Sequence, residues 1–255
     1  MSGEQSIREF TRQAASFEAP GSHFADLGVL DWIAGHAAVR SDDRILDVAG
    51  GTGQLGRHLG RRAHLCVVAD ITPAMLDQGA QAVRAAGRHD VVFVQADALA
   101  LPFPDGQFEV VVSRFALHHL TDIAGALRQM QRVCAPGGSV TVTDIVAEAG
   151  LAGEREDELE RLRDPSHVAC PRPARLRELI SDAGLRLVVE ATRDERLLAE
   201  PWLDRAQPEP EAREAVLEAL RAEAAGGAPT GLRAAQDDGA LTITHRYLLL
   251  HASQD

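Results

Sequence analysis

Three aspartates end successive hydrophobic runs in the first half of the chain, each at a point where a buried strand is expected to stop. They are Asp47, Asp70 and Asp97. The carboxyl ends of parallel strands in an open α/β sheet meet at one edge, and ligands bind in the crevice outside that edge. Carboxylates at these positions accept hydrogen bonds from hydroxyl and amino groups. The spacing therefore predicts a site for a ligand that contains an adenosine.

The first of these aspartates is followed by a glycine-rich turn and then by a helix. Gly51, Gly53 and Gly56 form the pattern GxGxxG, and Asp70 ends the next predicted strand. Glycines allow a sharp turn and a close approach of the ligand, and the helix that follows presents free N–H groups. NAD and S-adenosylmethionine (SAM) both contain an adenosine ribose, so this motif alone leaves both cofactors open.

Two further features favour SAM over NAD. Asp47 precedes the glycines, and a carboxylate there suits the amino acid part of SAM but would repel a pyrophosphate. The third strand ends in Gln95-Ala96-Asp97-Ala98, where the acid can accept a hydrogen bond from an adenine amino group. The N–H group of the next residue can then reach a ring nitrogen. These features predict a SAM site.

The elements that must position these residues alternate between strand and helix. Strands are predicted at 44–48, 65–69, 91–95, 108–113, 139–146, 185–191 and 240–251, and helices at 55–61, 73–86, 122–134, 154–163, 172–183 and 209–223. The alternation predicts a doubly wound α/β fold with a largely parallel sheet. We expect one domain, 1–255, with a helical N-terminal cap at 1–40 and an insert at 147–172 over the active site. We expect an exposed loop at 226–239 and a solvated face for the charged helix 154–163.

Four stretches, LDVAGGTGQL, VVADITPAML, FVQADALALPFPDGQFEVVVS and VCAPGG, occur in order between residues 44 and 146. In these stretches the chain resembles class I methyltransferases, close to the ubiquinone/menaquinone-biosynthesis C-methyltransferase family and its small-molecule relatives. The resemblance implies a Rossmann-like seven-stranded sheet with an antiparallel last strand, and SAM as the cofactor. One departure is Ala49, where the family commonly has glycine; alanine fits if its backbone stays at negative φ.

The resemblance also implies roles for the matching positions. They divide into residues beside the methionine part (Asp47, Gly51, Thr52, Gly53), a ribose ligand (Asp70), residues near the adenine (Ile71, Met75, Asp97, Ala98) and a residue at the mouth shared by cofactor and substrate (Arg114). Methyl transfer itself is an in-line displacement, so the protein mainly supplies alignment. The acceptor is expected to be small and partly apolar, and its reacting atom is carbon, oxygen or nitrogen.

A general base can assist if the acceptor loses a proton. We rank the candidates His119, His118, His167 and then His23, and Asp144 also lies in a suitable strand. Phe10, Phe17 and Phe24 recur every seven residues and form either core packing or a mobile cover beside the acceptor. Phe10, Phe17 and His23 are therefore the candidate substrate residues.

The bulk properties exclude some classes of partner. The formal net charge is −12, which disfavours binding to nucleic acids and to anionic membranes. No apolar run is long enough to span a bilayer, and no signal peptide is evident. The three widely spaced cysteines predict free thiols in the cytoplasm and no zinc site. Two alternatives remain: an NAD-dependent oxidoreductase, and a protein with the SAM-binding fold that does not transfer methyl groups. The oligomeric state stays open.

Overall fold

Eight strands form one mixed sheet in the computed structural model, which describes residues 3–18 and 26–255. The strands are β1 (Arg44–Val48), β2 (Leu65–Asp70), β3 (Val91–Gln95), β4 (Phe108–Arg114), β5 (Cys134–Ile145), β6 (Arg186–Leu198), β7 (Ala235–Asp237) and β8 (Ala240–Ser253). The helices are α1 (Gly3–Phe17), α2 (Leu27–Ala34), α3 (Gln54–Leu59), α4 (Pro73–Ala85), α5 (Ile123–Val133), α6 (Leu151–Arg163), α7 (Pro173–Asp182), α8 (Ala199–Ala206) and α9 (Pro210–Ala224).

The strand order is β3-β2-β1-β4-β5-β8-β6, with β7 paired to β8. The first five of these strands are mutually parallel, and β8 runs antiparallel to both of its neighbours, β5 and β6. Because β1, β2 and β3 are parallel, their carboxyl ends lie at one edge of the sheet. The doubly wound α/β fold and the antiparallel last strand are confirmed.

The predicted count of seven strands was wrong by one, because β7 lies in the segment predicted to be an exposed loop. Asp237 pairs with Ala240 across a two-residue turn formed by Asp238 and Gly239, whose φ angles are +47° and +81°. Positive φ at both positions is what a tight hairpin turn of this kind requires, and Asp-Gly is the dipeptide that favours it.

Each face of the parallel sheet is covered by helices, which explains why its strands are mainly apolar. Along β1, Leu46 and Val48 pack into one hydrophobic core with residues of α5 and α7, and Ile45 packs into a second core with residues of α2, α3 and α4. The alternation follows from the two-residue period of a strand. With both faces buried, β1 is held rigidly and its last residues have a fixed position at the sheet edge.

Past the end of β5, strands β6 and β8 continue as a two-stranded ribbon. β8 pairs with β5 from Ser253 back to Tyr247, whereas its earlier residues pair with β6 as far as Thr242. A third hydrophobic core forms on this ribbon around Trp202 of α8, Leu159 of α6 and residues of α9. The ribbon thus extends the sheet edge on the side away from β3.

Strand β6 is longer than its predicted range, 185–191, because its second half carries charged side chains. Arg193 pairs with Glu195 along the strand, and Asp194 pairs with Arg246 of β8. β6 is an edge strand, where charged side chains are typical. Its second half therefore lacks the apolar pattern from which strands are predicted.

The N-terminal helices lie on either side of residues 19–25, which fall outside the description and include the candidates His23 and Phe24. Helix α1 is fastened to distant segments, because Gln5 Nε2 donates to the carbonyl of Pro165 (2.9 Å) and Arg12 Nη1 donates to that of Gln207 (2.9 Å). Among the residues that the structure describes, no helix has the length and apolarity that crossing a bilayer requires.

Helix α6 is not the solvated charged face predicted for 154–163. Glu156, Asp157 and Glu160 are only 4%, 5% and 2% exposed. They tolerate burial because basic side chains meet two of them: Arg172 lies 2.8 Å from Asp157 and Arg163 lies 2.5 Å from Glu160. The prediction was wrong because these pairings depend on tertiary contacts and not on helical periodicity.

Candidate functional site

A cavity of about 220 Å³ lies at the carboxyl edge of the parallel strands. Among the residues that line it are nine of those predicted to contact the cofactor: Asp47, Gly51, Thr52, Asp70, Ile71, Met75, Asp97, Ala98 and Arg114. The aromatic residues of α1 that were candidate substrate contacts, Phe10 and Phe17, also line it, as do three of the four histidines predicted as bases, His118, His119 and His167. The structure thus brings these predicted residues to one cavity.

Asp47 is the penultimate residue of β1 and is 1% exposed. Its Oδ2 accepts a hydrogen bond from the backbone N–H of Gly56 (2.8 Å). Its Oδ1 is buried and has no hydrogen-bond partner within residues 3–18 and 26–255. Burial raises the pKa of Asp47 to about 6, although the Gly56 N–H and the guanidinium of Arg114 oppose the shift. A buried acceptor of this kind is costly unless a ligand donates to it, so the site suits a charged amino group.

Asp70, at the end of β2, is held by two backbone donors. Gly51 N–H donates to its Oδ2 and Thr72 N–H donates to its Oδ1, both at 2.8 Å. Burial raises the pKa of Asp70, and these two hydrogen bonds counteract the rise. Each carboxylate oxygen keeps further acceptor capacity. The fixed carboxylate can therefore accept a pair of hydrogen bonds from a ribose diol.

The turn between β1 and α3 adopts left-handed backbone conformations. Ala49, Gly51 and Gly53 have φ angles of +51°, +58° and +74°. The condition under which alanine would fit at position 49, a negative φ, is therefore not met, and the alanine is strained where glycine would not be. Gly53 does not line the cavity, and a Cβ atom there would lie 2.7 Å from Val68. Its left-handed φ and the packing behind the turn both require glycine at this position.

The part of the cavity near β3 combines an exposed carboxylate with apolar surface. Asp97 Oδ1 accepts the N–H of Leu99 (2.9 Å), which fixes the loop after β3. Met75 and Ala98 are buried beside it, and Ile71 is half-buried. Apolar side chains next to one acceptor suit a purine ring with an exocyclic amino group.

Two histidines and a buried aspartate meet where β4 and β5 end. The chain leaves β4 at Arg114 and forms a 3₁₀ turn, Leu117–His119. The Nδ1 of His118 lies 2.5 Å from Oδ1 of Asp144, whose Oδ2 accepts the N–H of Leu117 (2.7 Å). Burial alone would lower the pKa of His118, but the charge and hydrogen bond of Asp144 raise it above its ordinary value. His118 is therefore oriented and basic.

His119, the first-ranked candidate, has a different environment. Its Nδ1 lies 3.1 Å from the carbonyl oxygen of Ser166, and its ring contacts Phe10 edge-on with centroids 4.8 Å apart. Burial, together with the neighbouring His118, lowers the pKa of His119 to about 3. Such a weakly basic imidazole is a poor proton acceptor at neutral pH. The geometry therefore favours His118 over His119.

His167 belongs to a buried group with Asp157 and Cys170, whose potential metal-ligand atoms all lie within 4.8 Å of one another. The sequence did not predict this group. Asp157 already accepts from His167 Nε2 (3.1 Å), from the N–H of Cys170 (2.7 Å) and from Arg172 (2.8 Å). Burial raises the pKa of the Cys170 thiol well above its usual value, which disfavours the thiolate that a metal needs. These contacts give His167 a structural anchor to α6.

The end of the cavity next to the ribbon was missed by the sequence interpretation. Its wall includes Glu160 of α6, Trp202 and Arg205 of α8, and His245 and Tyr247 of β8. None of these lies in a recognisable motif, and α8 itself was not predicted. The one usable sequence signal was a histidine, His245, within a predicted strand; the structure shows it 3% exposed.

The comparisons with known proteins agree with this architecture. Residues 46–142 match the sequence profile of the Methyltransferase domain family. The chain is similar to the uncharacterised methyltransferase YcgJ of Bacillus subtilis, with 34% identity over 52% of this chain and 53% of YcgJ. It is also similar to the ubiquinone/menaquinone biosynthesis C-methyltransferase UbiE of Shewanella frigidimarina, with 44% identity over 42% of this chain and 45% of UbiE. Each match thus spans about half the length of the curated relative.

Solved structures extend the likeness in fold to most of the chain. The crystal structure of YcgJ superposes with a TM-score of 0.82 at 23% identity, covering 89% of this chain and 98% of that one. The [4+2]-cyclase SpnF superposes with a TM-score of 0.65 at 21% identity, covering 93% of this chain and 84% of that one. The chain therefore has the fold of the class I methyltransferases, and its residues 46–142 match the Methyltransferase domain family.

Proposed function

We propose that this protein is an enzyme that transfers the methyl group of SAM to a small, partly apolar acceptor. The observation that carries the proposal is the convergence of Asp47, Asp70 and Asp97 on one cavity, with a buried oxygen of Asp47 that lacks a donor among the described residues. Three acids at neighbouring strand ends match the three polar parts of SAM: its ammonium group, its ribose hydroxyls and its adenine amine.

The residues present fit this cofactor. Asp47 would accept the ammonium group, Asp70 the ribose hydroxyls and Asp97 the adenine amine, while Met75 supplies apolar contact beside the ring. The side chain of Arg114 lies buried next to Asp47, where burial lowers its pKa to about 10, and it would face both the cofactor and the acceptor. When bound, SAM supplies a methyl group on a positively charged sulfur, which is a good leaving group.

The protein's own contribution to the chemistry is alignment and, for an acceptor that loses a proton, a base. Alignment of two reactants contributes roughly 7–11 kcal/mol to lowering the barrier. His118 is our assignment for the base: its Nδ1 faces Asp144, so Nε2 is the nitrogen that takes the acceptor's proton. The Asp144 carboxylate then stabilises the imidazolium that forms.

Helix α1 supplies an aromatic cover. Phe10 and Phe17 lie on the cavity wall with their rings 6.4 Å apart, and Gln13 Nε2 of the same helix approaches Asp164 Oδ2 at 3.3 Å. We infer that α1 and the insert 147–172 close together over the bound molecules and exclude water from the reacting atoms. Phe10 and Phe17 would then contact the acceptor.

Carbon, oxygen and nitrogen all remain open as the methylated atom, and a ring carbon of a quinone-like molecule is the choice that the likeness to UbiE suggests.

The three cysteines are free and buried, which supports a cytoplasmic location. Neither nucleic acid nor a membrane surface is proposed as a partner, because the chain is strongly acidic.

Of the two alternatives, the NAD-dependent oxidoreductase is disfavoured because the buried Asp47 would repel a diphosphate and because residues 46–142 match a methyltransferase family. The protein that binds SAM without transferring its methyl group keeps some support, since the fold is shared with the [4+2]-cyclase SpnF. It requires the same cofactor residues but no base.

The test is to incubate the purified protein with SAM carrying a labelled methyl group and with a panel of phenols, quinols and amines. We expect release of S-adenosylhomocysteine (SAH) that depends on one of the acceptors, together with label in that acceptor. Tight SAM binding with no SAH released by any acceptor would favour the non-methylating alternative. Binding of NAD in place of SAM would overturn the proposal.

A further inference from the structure

Three buried polar side chains from separate elements share the wall of the cavity next to the β6–β8 ribbon. They are Glu160 of α6, Trp202 of α8 and His245 of β8, which are 2%, 1% and 3% exposed. Glu160 Oε1 lies 3.2 Å from His245 Nε2, and the rings of Trp202 and His245 have centroids 5.9 Å apart. We call these three residues the polar wall.

Each member of the polar wall has a buried polar atom without a hydrogen-bond partner in the described part of the chain. These atoms are Oε1 of Glu160, Nε1 of Trp202 and Nε2 of His245. The approach of Glu160 to His245 is within ion-pair distance but lacks hydrogen-bond geometry. Buried polar atoms are almost always paired in native proteins, so three of them on one cavity wall indicate a place where a ligand completes the pairing.

The chemistry of the three atoms restricts that ligand. Trp202 Nε1 can only donate a hydrogen bond, and a carboxylate oxygen of Glu160 can only accept one. Burial would raise the pKa of Glu160, but the charge of Arg163 holds it well below its usual value, so Glu160 is ionised. Burial lowers the pKa of His245, and its neutral imidazole can either donate or accept a hydrogen bond. The ligand group must therefore both accept and donate.

Charges of both signs border this part of the cavity, so a charged ligand group of either sign would meet a like charge. An anion would be repelled by the Glu160 carboxylate. A cation would be repelled by Arg163, whose Nη1 lies 2.5 Å from Glu160 and whose guanidinium stacks over Trp202 at 4.6 Å, and by Arg205 on the same cavity. A neutral hydroxyl group meets the remaining conditions, because it accepts from one partner and donates to another.

We propose that the polar wall recognises a neutral hydroxyl group on the acceptor molecule, an alcohol or a phenol, with Trp202 donating to it and Glu160 or His245 accepting from it. The inference deepens the proposed function and rests on it, because it takes this end of the cavity as the acceptor site. The apolar remainder of the acceptor would lie against Leu197 and Phe115, which line the same cavity.

The experiment compares two probes of nearly the same shape, 2-naphthol and 2-methylnaphthalene, on the SAH-loaded protein by calorimetry. A hydrogen-bonded hydroxyl in a buried site should make 2-naphthol bind about tenfold more tightly. Trp202→Phe keeps a ring but removes the N–H, so the ratio of the two affinities, 2-naphthol to 2-methylnaphthalene, should fall to near one in this variant. Trp32→Phe, at the other tryptophan of the chain, is the matched control and should keep the wild-type ratio.

Glu160→Gln provides a second variant in case Trp202→Phe disturbs the third core. It keeps the size of the side chain, and we expect it to reduce the preference for 2-naphthol. Equal binding of the two probes by the wild type, or no binding of either, would overturn the proposal. So would a wild-type ratio in both Trp202→Phe and Glu160→Gln. SAH affinity, measured in the same samples, tests the cofactor site separately, so its loss would count against the proposed function instead.

Discussion

The Nδ1 of His118 lies 2.5 Å from the Oδ1 of Asp144. The two residues come from neighbouring parallel strands, since Asp144 is in β5 and His118 follows β4 within a few residues. Asp144 is fully buried and also accepts the N–H of Leu117. The sheet itself therefore fixes the orientation of the imidazole at the cavity.

Replacement of His118 by glutamine should lower turnover by about 10²–10⁴-fold while SAM affinity stays within about twofold of the wild type, because a base acts on the acceptor and not on the cofactor. Steady-state kinetics and calorimetry on the same preparation separate these effects. His119→Gln is the matched control, and we expect it to cost less turnover. A greater loss in His119→Gln than in His118→Gln would reverse the assignment.

The pH dependence of turnover should follow His118. Since Asp144 holds the pKa of His118 above the ordinary histidine value, kcat/KM should be low in acid and should rise as the pH increases through that raised pKa. In Asp144→Asn the opposing effect of burial remains, so the rise should move to lower pH and the plateau should fall. A profile that keeps its position in Asp144→Asn would show that another group controls the reaction.

Asp70→Ala should weaken SAM binding by roughly 10–100-fold, because the ribose hydroxyls lose an ionised acceptor. Calorimetric titration with SAM measures the effect, and circular dichroism shows whether the turn that Asp70 fixes through Gly51 and Thr72 survives. Asp77→Ala, an exposed aspartate on α4, serves as the control and should bind SAM normally. Unchanged affinity in Asp70→Ala would refute the ribose assignment.

Ala49→Gly should raise the free energy of unfolding. A left-handed backbone costs an alanine about 1–2 kcal/mol, whereas the additional unfolded-state entropy of glycine costs about 0.5–1 kcal/mol. The net gain should be about 0.5–1 kcal/mol in urea unfolding. Ala86→Gly, at a residue with a φ of −83° after α4, is the control and should be destabilising. Equal losses in the two variants would contradict the strain at Ala49.

Glu156→Gln should stabilise the protein in a pH-dependent way. Burial, together with Glu160 and Asp157, raises the pKa of Glu156 to about 9, so the folded state binds its proton more tightly than the unfolded state does. The free energy of unfolding therefore falls as the pH rises from the unfolded pKa towards 9.

Removing the Glu156 carboxyl group should stabilise the protein by ~2 kcal/mol at about pH 8 and by little at about pH 4. Denaturant unfolding at the two pH values measures the difference. Glu154→Gln, on the exposed side of the same helix, should show no such trend. A gain for Glu156→Gln that is equal at both pH values would exclude the titration as its cause.

The parallel half of the fold could be predicted from sequence because its signals are local. Each buried strand of this half is a short apolar run, and the turn after Val48 is rich in glycine. The candidate cofactor residues were predicted from these signals together with the family resemblance, and all of them except Gly53 line one cavity. Gly53 lies behind the turn, where its left-handed φ and its packing against Val68 require glycine.

The ribbon and its cavity wall could not be predicted, because they depend on contacts between residues far apart in the chain. Glu160 is buried only where Arg163 and His245 meet it, and its place in a run of charged residues indicated an exposed face. The choice between His118 and His119 likewise depends on Asp144, which is distant in sequence. Such pairings emerge only when the strands are assembled.

The most direct test of the central claim is a crystal structure of the protein with SAH. The account predicts the amino acid part of SAH beside Asp47, its ribose hydroxyls on Asp70 and its adenine between Met75 and Asp97. Density for SAH outside this cavity, or no binding of SAH at all together with a diphosphate-containing nucleotide at these strand ends, would contradict it.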